Sequence, residues 1–121
     1  MLLTSFRIRK IENSTNRLVA KCTITFDAMF AVSDIKILTK DSGDYYLGMP
    51  SRKTAVGTFK DEAYPVNSDV RKALERVLFG AIDKSLELDS TIVDGEVIPG
   101  HGKISLLQQS ADDFAFKSEL N

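Results

Sequence analysis

Hydrophobic and polar residues alternate with a period of two through the first part of the chain. The stretch SFRIRKI (5–11) places its apolar residues on one side and Arg7 and Arg9 on the other. The stretch RLVAKCTITF (17–26) repeats this pattern, with an apolar side that includes Cys22. Alternation of this kind predicts β-strands with one buried face and one polar face.

The next apolar run, MFAVSDIKIL (29–38), changes phase in its middle. Its apolar positions are even-numbered before Ser33-Asp34 and odd-numbered after it. This slip predicts a β-bulge at that dipeptide. A glycine-containing turn is predicted over KDSGD (40–44). A fourth strand over YYLGM (45–49) and a fifth extended segment over TFKDEAYPV (58–66) are predicted to follow.

The stretch NSDVRKALERVLFGAIDKSLE (67–87) predicts one amphipathic helix. Asn67 or Ser68 can cap its N-terminus, and Asp69 lies in the first turn, where the helix dipole favours an anion. The apolar residues at helical spacing are Val70, Leu74, Val77, Leu78, Ala81 and Ile82. Four to five antiparallel strands with one helix packed on them predict a small α+β fold.

The C-terminal third has a different charge and a weaker pattern. Residues 1–87 hold 14 Lys/Arg against 11 Asp/Glu, whereas residues 88–121 hold 2 against 6. We therefore divide the chain into a mildly basic domain, 1–87, and an acidic C-terminal extension, 88–121. Within the extension, TIVDGEVI (91–98) is a candidate hairpin with a turn at Asp94-Gly95. ISLLQQSADDFAF (104–116) is predicted either to form a short helix or to dock on another subunit.

Composition excludes several classes of function. The chain has 121 residues, 43% of them hydrophobic, and no apolar run near the roughly 18 residues of a membrane helix. No signal peptide is predicted. Cys22 and His101 are the single cysteine and histidine, so neither a zinc site nor a nucleophile–histidine pair is expected. We predict a chain without enzymatic activity, metal or cofactor.

Two long strings in the sequence carry a resemblance to a known family. They are FDAMFAVSDIKIL (26–38) and MPSRKTAVGTFKDEAYPVNSDVR (49–71), and the second leads directly into the predicted helix. With this order and spacing, residues of about 3–87 resemble the SpoVG family, the stage V sporulation protein G or septation regulator proteins of bacteria. The residues after about 88 do not match the pattern of typical members.

The resemblance implies a cytoplasmic, non-catalytic homodimer that binds DNA or RNA site-selectively. It implies a transcriptional or other regulatory role linked to septation, cell division, sporulation or surface functions. It implies neither a membrane nor a small-molecule substrate. The residues alone leave a second hypothesis open, a protein-interaction module that pairs through a sheet edge and binds no nucleic acid.

Candidate nucleic-acid contacts are cations and hydroxyls in three places. A loop predicted over PSRKT (50–54) and the polar side of the helix supply the principal set, because Lys, Arg and Ser/Thr side chains are common phosphate contacts. The predicted contact residues are Ser51, Arg52, Lys53, Thr54, Lys60, Arg71, Lys72 and Arg76. A third patch on the polar side of the strands contains Arg7, Arg9, Arg17 and Lys21. Phe79 either stacks on bases beside the helix cations or is covered by the C-terminal extension or a dimer partner, and the second alternative is favoured. The acidic extension is predicted to cover part of this basic surface.

Overall fold

The computed structural model describes residues 1–12, 16–100 and 105–118. One helix packs on a mainly antiparallel sheet, as the α+β prediction requires. The strands are β1 (Leu3–Lys10), β2 (Leu18–Phe26), β3 (Phe30–Thr39), β4 (Tyr45–Gly48), β5 (Ser51–Lys53), β6 (Phe59–Asp61), β7 (Ile92–Val97) and β8 (Phe114–Ser118). The helix is α1 (Ser68–Ser85).

The main sheet has six strands instead of the four to five predicted. Its order is β4-β3-β2-β1-β7-β8, and every neighbouring pair is antiparallel. The two additional strands come from the C-terminal extension and lie beside β1. A separate two-stranded hairpin is formed by β5 and β6, so the segment predicted as a loop around Arg52 and Lys53 is a short strand. Three residues are too few for alternation to reveal such a strand.

Alternation along the strands gives the main sheet one covered face and one open face. Buried side chains of β1, β2 and β3 point towards α1 and form the core with the helix. The open face is defined here as the face of the six-stranded sheet turned away from α1. The core stripe of the helix is buried except for Val70, which is half-buried, because Val70 lies in the first turn at the margin of the packed surface. Cys22 belongs to the core, and burial raises the pKa of its thiol to about 12.

The β-bulge predicted from the phase slip is confirmed at Ser33-Asp34. Cys22 pairs with Ile35 and Ile24 pairs with Val32, so Thr23 faces two residues of β3 instead of one. Asp34 has a φ of 61°, a left-handed conformation that Asp tolerates better than most residues. The bulge shifts the phase of β3 so that its apolar residues on both sides of the slip turn towards the core.

The ends of α1 are held by specific polar contacts. Asn67 is the N-cap, and its side-chain oxygen accepts a hydrogen bond of 2.9 Å from the backbone nitrogen of Val70. At the other end, Lys10 Nζ donates to the backbone oxygens of Ser85 and Leu88, at 2.9 and 2.7 Å. A lysine ammonium at this position compensates the carbonyl groups that a helix C-terminus leaves unpaired.

The predicted turn at Asp94-Gly95 is wrong, because both residues lie inside the continuous strand β7. Gly95 pairs with Phe6 of β1. The Phe6 ring lies over the glycine so closely that a Cβ atom there would overlap ring atoms Cζ, Cε1 and Cε2. The glycine is therefore required by the approach of an aromatic ring, and the pairing with β1 overrides the local turn preference.

The described part of the remaining extension, 105–118, forms two single-turn 3₁₀ helices and the strand β8. The 3₁₀ helices are Leu106–Gln108 and Ala111–Asp113. They lie against α1, and Phe114 then packs on the Phe6 ring with centroids 5.0 Å apart. The extension thus docks on its own domain. Across the described ranges, no helix has the length and apolar character needed to cross a membrane.

Candidate functional site

The hairpin of β5 and β6 projects several of the predicted contact residues into solvent. Arg52 lies directly opposite Lys60, Ser51 opposite Asp61, and Lys53 opposite Phe59. All of these side chains are exposed. Because neighbouring residues of a strand point to opposite sides, Arg52 and Lys60 share one side of the hairpin while Lys53 lies on the other. The sequence prediction of consecutive contacts in a loop did not distinguish these two sides.

The tip of the hairpin is closed by its own hydrogen bonds. Thr54 N donates to Thr58 O at 2.7 Å, and the two hydroxyls are 2.7 Å apart. Gly57 has a φ of 87°, a value that suits glycine in a tight turn. The Thr54 hydroxyl is therefore already paired within the turn, and its first role is to order the tip that follows the cations.

The predicted helix cations differ in the hydrogen bonds that their side chains make. Lys72 is exposed and makes no side-chain hydrogen bond or ion pair within the described ranges. Arg71 Nη2 donates to Leu47 O at 2.9 Å and so ties the helix to β4. The Arg76 guanidinium donates from Nε to Gln109 O at 2.7 Å and from Nη2 to Leu107 O at 3.0 Å. Arg71 and Arg76 are thus engaged by backbone carbonyls, and Arg76 by the extension itself.

Within the described residues, two of the four cations of the third predicted patch, on the polar side of the strands, form ion pairs. Arg7 forms a bidentate ion pair with Asp94 of β7, at 2.7 and 3.0 Å, and Arg17 is paired with Asp41 in a turn. Arg9 lies directly opposite Lys21. Lys36 of β3 lies opposite Lys21, on the side of β2 away from β1. The candidate residues predicted from the sequence did not include Lys36. The signal for Lys36 was present, because after the bulge it alternates with buried Ile35 and Ile37.

Phe79 does not stand free on the polar side of the helix. Its ring lies 5.6 Å from the ring of Tyr45, and the phenol of Tyr45 donates to Asp83 Oδ1 at 3.0 Å. Burial, followed by the bond to Asp83 and its charge, raises the pKa of Tyr45 above its ordinary value. Phe79 therefore packs half-buried between α1 and β4, which leaves less of its ring available for stacking on a base.

The acidic extension meets the basic domain at defined places. Besides the Arg7–Asp94 pair, Lys84 of α1 forms an ion pair with Asp112 at 2.6 Å and lies 5.6 Å from the centre of the Phe116 ring. Both ion pairs are solvent-exposed, so each is worth little to stability. They nevertheless reduce the positive charge that α1 and the open face present.

The described residues offer no grouping suited to a metal ion. No three side chains of His, Cys, Asp or Glu come together in residues 1–12, 16–100 and 105–118. The buried Cys22 thiol, with its raised pKa, is poorly suited to act as a nucleophile or a ligand. His101 lies outside the described residues.

Comparison with known proteins identifies the family of the chain. The SpoVG family model matches residues 1–84, which spans β1 to the penultimate residue of α1. A protein of Caldanaerobacter subterraneus subsp. tengcongensis named "Putative septation protein SpoVG" is 41% identical over 90 residues, 74% of this chain and 97% of the relative. Proteins of the same name from Clostridium botulinum and Clostridium kluyveri are 40% and 35% identical, over 72% and 80% of this chain and 93% and 98% of the relatives.

The extent of the family match places β7 and β8 outside it. Those two strands, with the 3₁₀ helices between them, are added to the β1 side of a sheet whose other four strands lie in the matched region. More than half of the chain matches the family model, and the relatives are covered almost completely. The chain therefore belongs to the SpoVG family.

Proposed function

We propose that this chain is a cytoplasmic, non-catalytic regulator that binds nucleic acid site-selectively, as a homodimer, in bacterial gene control linked to septation, sporulation or surface functions. The observation that carries the proposal is the pairing of Arg52 with Lys60 in an exposed hairpin. Like charges directly opposite each other destabilise a strand pair. A phosphate between them would replace their repulsion by two attractive contacts.

The other predicted contacts extend this surface unequally. Lys53 and Ser51 supply the second side of the hairpin, and Lys72 supplies an unengaged cation on α1. Arg71 and Arg76 are secondary members, because each is already hydrogen-bonded to carbonyl groups. Thr54 contributes by ordering the turn at the tip of the hairpin, where it is hydrogen-bonded to Thr58. The sequence contains no legible recognition-helix motif, so we expect phosphate contacts to dominate affinity and binding to weaken steeply with salt.

Exposed apolar residues near the hairpin support the homodimer. Val56, Phe59, Tyr64 and Val66 are 84%, 74%, 63% and 85% exposed. Tyr64 and Val66 line an apolar cavity of about 240 Å³ between α1 and the core-facing side of the sheet. Its lining includes Met1, Ile24, Phe26, Val32, Met49, Tyr64, Val66, Val70 and Leu74. Large contiguous apolar patches of this kind mark interaction surfaces, and a second copy would bury them.

The test compares wild type with Arg52→Glu/Lys53→Glu by fluorescence anisotropy on single-stranded RNA and double-stranded DNA. We expect wild-type binding to weaken strongly between roughly 50 and 200 mM salt, and the double variant to lose it. A matched control, Lys40→Glu/Lys117→Glu, changes the net charge equally at exposed sites outside the predicted set, and urea unfolding measures the small destabilisation expected from a carboxylate opposite Asp94. Normal binding by the hairpin variant would remove the hairpin from the proposal.

The alternative, a protein-interaction module without a nucleic-acid ligand, is favoured by the same exposed apolar residues. Sedimentation analysis separates the two through Val56→Ser/Phe59→Ser. If wild type binds neither nucleic-acid probe yet self-associates through these side chains, the interaction module is the better account. If the variant becomes monomeric and nucleic-acid binding weakens with it, the apolar surface serves the regulatory dimer.

A further inference from the structure

Three cations form a row across the centre of the open face. Arg9 on β1, Lys21 on β2 and Lys36 on β3 occupy directly opposite positions and are all exposed. Neighbouring strands are about 4.8 Å apart, so this basic row spans about 10 Å. None of the three forms an ion pair or side-chain hydrogen bond in the part of the chain that the structure describes.

The basic row differs from another part of the open face, where opposite charges lie across from each other on neighbouring strands. Asp94 lies between Arg7 and Lys117 on the adjoining strands, and it forms an ion pair with Arg7. Like charges directly opposite each other weaken a sheet. Three of them in succession, in solvent and without an ion pair among the described residues, with Asp34 as the one carboxylate that lines a depression beside Arg9 and Lys21, indicate a surface that meets an anionic partner.

The basic row leads towards the hairpin. Lys36 lies opposite Gly48, the last residue of β4, and Gly48 has no side chain to block the path. Only two residues separate Gly48 from Ser51, where β5 begins. Two uncharged residues, Met49 and Pro50, therefore link the end of the basic row to the start of the hairpin along the chain.

An aromatic ring lies beside this path. Tyr46 is on the open face, two residues before Gly48, and is 38% exposed. Its neighbour Tyr45 points to the other side, where it bonds Asp83. Aromatic rings beside cations bind the unstacked bases of single strands, whereas the bases of a duplex are not available for such stacking.

We propose that the open face is a second nucleic-acid surface, on which Arg9, Lys21 and Lys36 contact the phosphates of a single strand and Tyr46 stacks on one of its bases. This inference deepens the proposed function and rests on it. The strand continues from the basic row past Gly48 to the hairpin. The apolar cavity that Tyr64 and Val66 line is on the α1 side of the sheet, so a second copy seated there leaves the open face accessible.

Replacing one acidic side chain tests the proposal in the other direction, because it is expected to strengthen binding. Asp34, at the bulge, lines a shallow depression of about 230 Å³ together with Arg7, Arg9 and Lys21. Its carboxylate repels a phosphate held there. Asp34→Asn removes the charge and keeps a residue that tolerates the left-handed conformation. This variant is expected to tighten binding severalfold.

The experiment measures anisotropy of a labelled mixed-sequence single-stranded RNA at several salt concentrations. Lys21→Gln/Lys36→Gln is expected to weaken binding about tenfold at low salt and to reduce the salt slope by about 1.4, at about 0.7 for each single-strand phosphate contact. The control Lys40→Gln/Lys117→Gln makes the same charge change off the basic row and is expected to keep the slope. Tyr46→Leu is expected to weaken single-strand binding and leave duplex binding unchanged. Thermal melts verify that each variant is folded.

The outcomes separate this inference from the proposed function. If the basic-row variant keeps wild-type affinity and slope while the hairpin variant loses binding, the open face is not a nucleic-acid surface and the proposed function stands. If wild type binds no probe, both fail. Equal losses on single strands and duplexes in the basic-row variant and in Tyr46→Leu would overturn the single-strand assignment.

Discussion

The side-chain amide of Gln109 pairs with both backbone polar groups of Leu3. Its Oε1 accepts from Leu3 N at 2.9 Å, and its Nε2 donates to Leu3 O at 2.8 Å, with both residues fully buried. The pairing of β1 with β7 ends at Ser5 and Glu96, so Leu3 has no strand partner on that side. The side chain of Gln109, 106 positions later in the sequence, takes the place of the missing strand partner.

Gln109→Leu is expected to destabilise the protein by about 2–6 kcal/mol, because it leaves a buried N–H and a buried C=O unpaired at about 1–3 kcal/mol each. The measurement is the free energy of unfolding from urea denaturation. Gln108→Leu, at the exposed last residue of the 3₁₀ helix that Gln109 caps, is the control and is expected to change little. Equal values for the two variants would show that the Gln109 bonds do not anchor the extension.

Gly95→Ala is expected to lower stability by about 1–3 kcal/mol or more, because the new methyl group would overlap the Phe6 ring. A double-mutant cycle checks the cause. In the background of Phe6→Leu, which removes the ring, the same Gly95→Ala change should cost clearly less. If the cost is unchanged in that background, the conformational preference of glycine and not the ring explains the position.

The Cys22 thiol is expected to be inert in the folded protein. With a pKa of about 12 instead of 9.0, it has almost no thiolate at neutral or mildly alkaline pH. Because the unfolded chain loses this proton near pH 9 and the folded chain keeps it to about pH 12, the free energy of unfolding falls as the pH rises through that interval. Thiol labelling at pH 8 should be slow in buffer and fast in denaturant. Rapid, complete labelling of the native protein would contradict the burial of Cys22.

Local signals in the sequence were sufficient for several elements. The phase slip at Ser33-Asp34 predicted the bulge because the side chains of a strand must keep one face buried. Asn67 was one of two predicted N-caps, since a short polar side chain before an amphipathic run is the usual start of a helix. Gly43 has a φ of 90° in its predicted turn. In each case the cause lies within a few residues of its effect.

Long-range contacts were not predictable in the same way. Asp94-Gly95 has the composition of a turn, but pairing with β1 keeps it extended, and its partners are nearly 90 positions away. The sequence likewise identifies Arg76 as a cation but does not reveal that two carbonyl groups of the extension engage it. For the candidate site, the hairpin cations followed from the chain itself, whereas the alignment of Lys36 with Lys21 required the register of the sheet.

The basic row offers a final prediction, in which stability and binding change in opposite directions. Lys21→Glu places a carboxylate between Arg9 and Lys36 and is expected to stabilise the protein by about 0.4–2 kcal/mol, since two repulsive cross-strand pairs become attractive at about 0.2–1 kcal/mol each. Lys117→Glu is the control, because it places a carboxylate opposite Asp94 and should destabilise by about 0.2–1 kcal/mol through one pair. Thermal and urea unfolding measure both changes.

The same Lys21→Glu variant is expected to bind single-stranded RNA more weakly than wild type. A residue whose replacement raises stability and lowers binding is retained for its ligand and not for the fold, since local rules of folding are typically broken at functional sites. A loss of stability in Lys21→Glu comparable to that in Lys117→Glu would mean that the row is already neutralised in the folded protein. The electrostatic argument for an anionic partner on the open face would then fail.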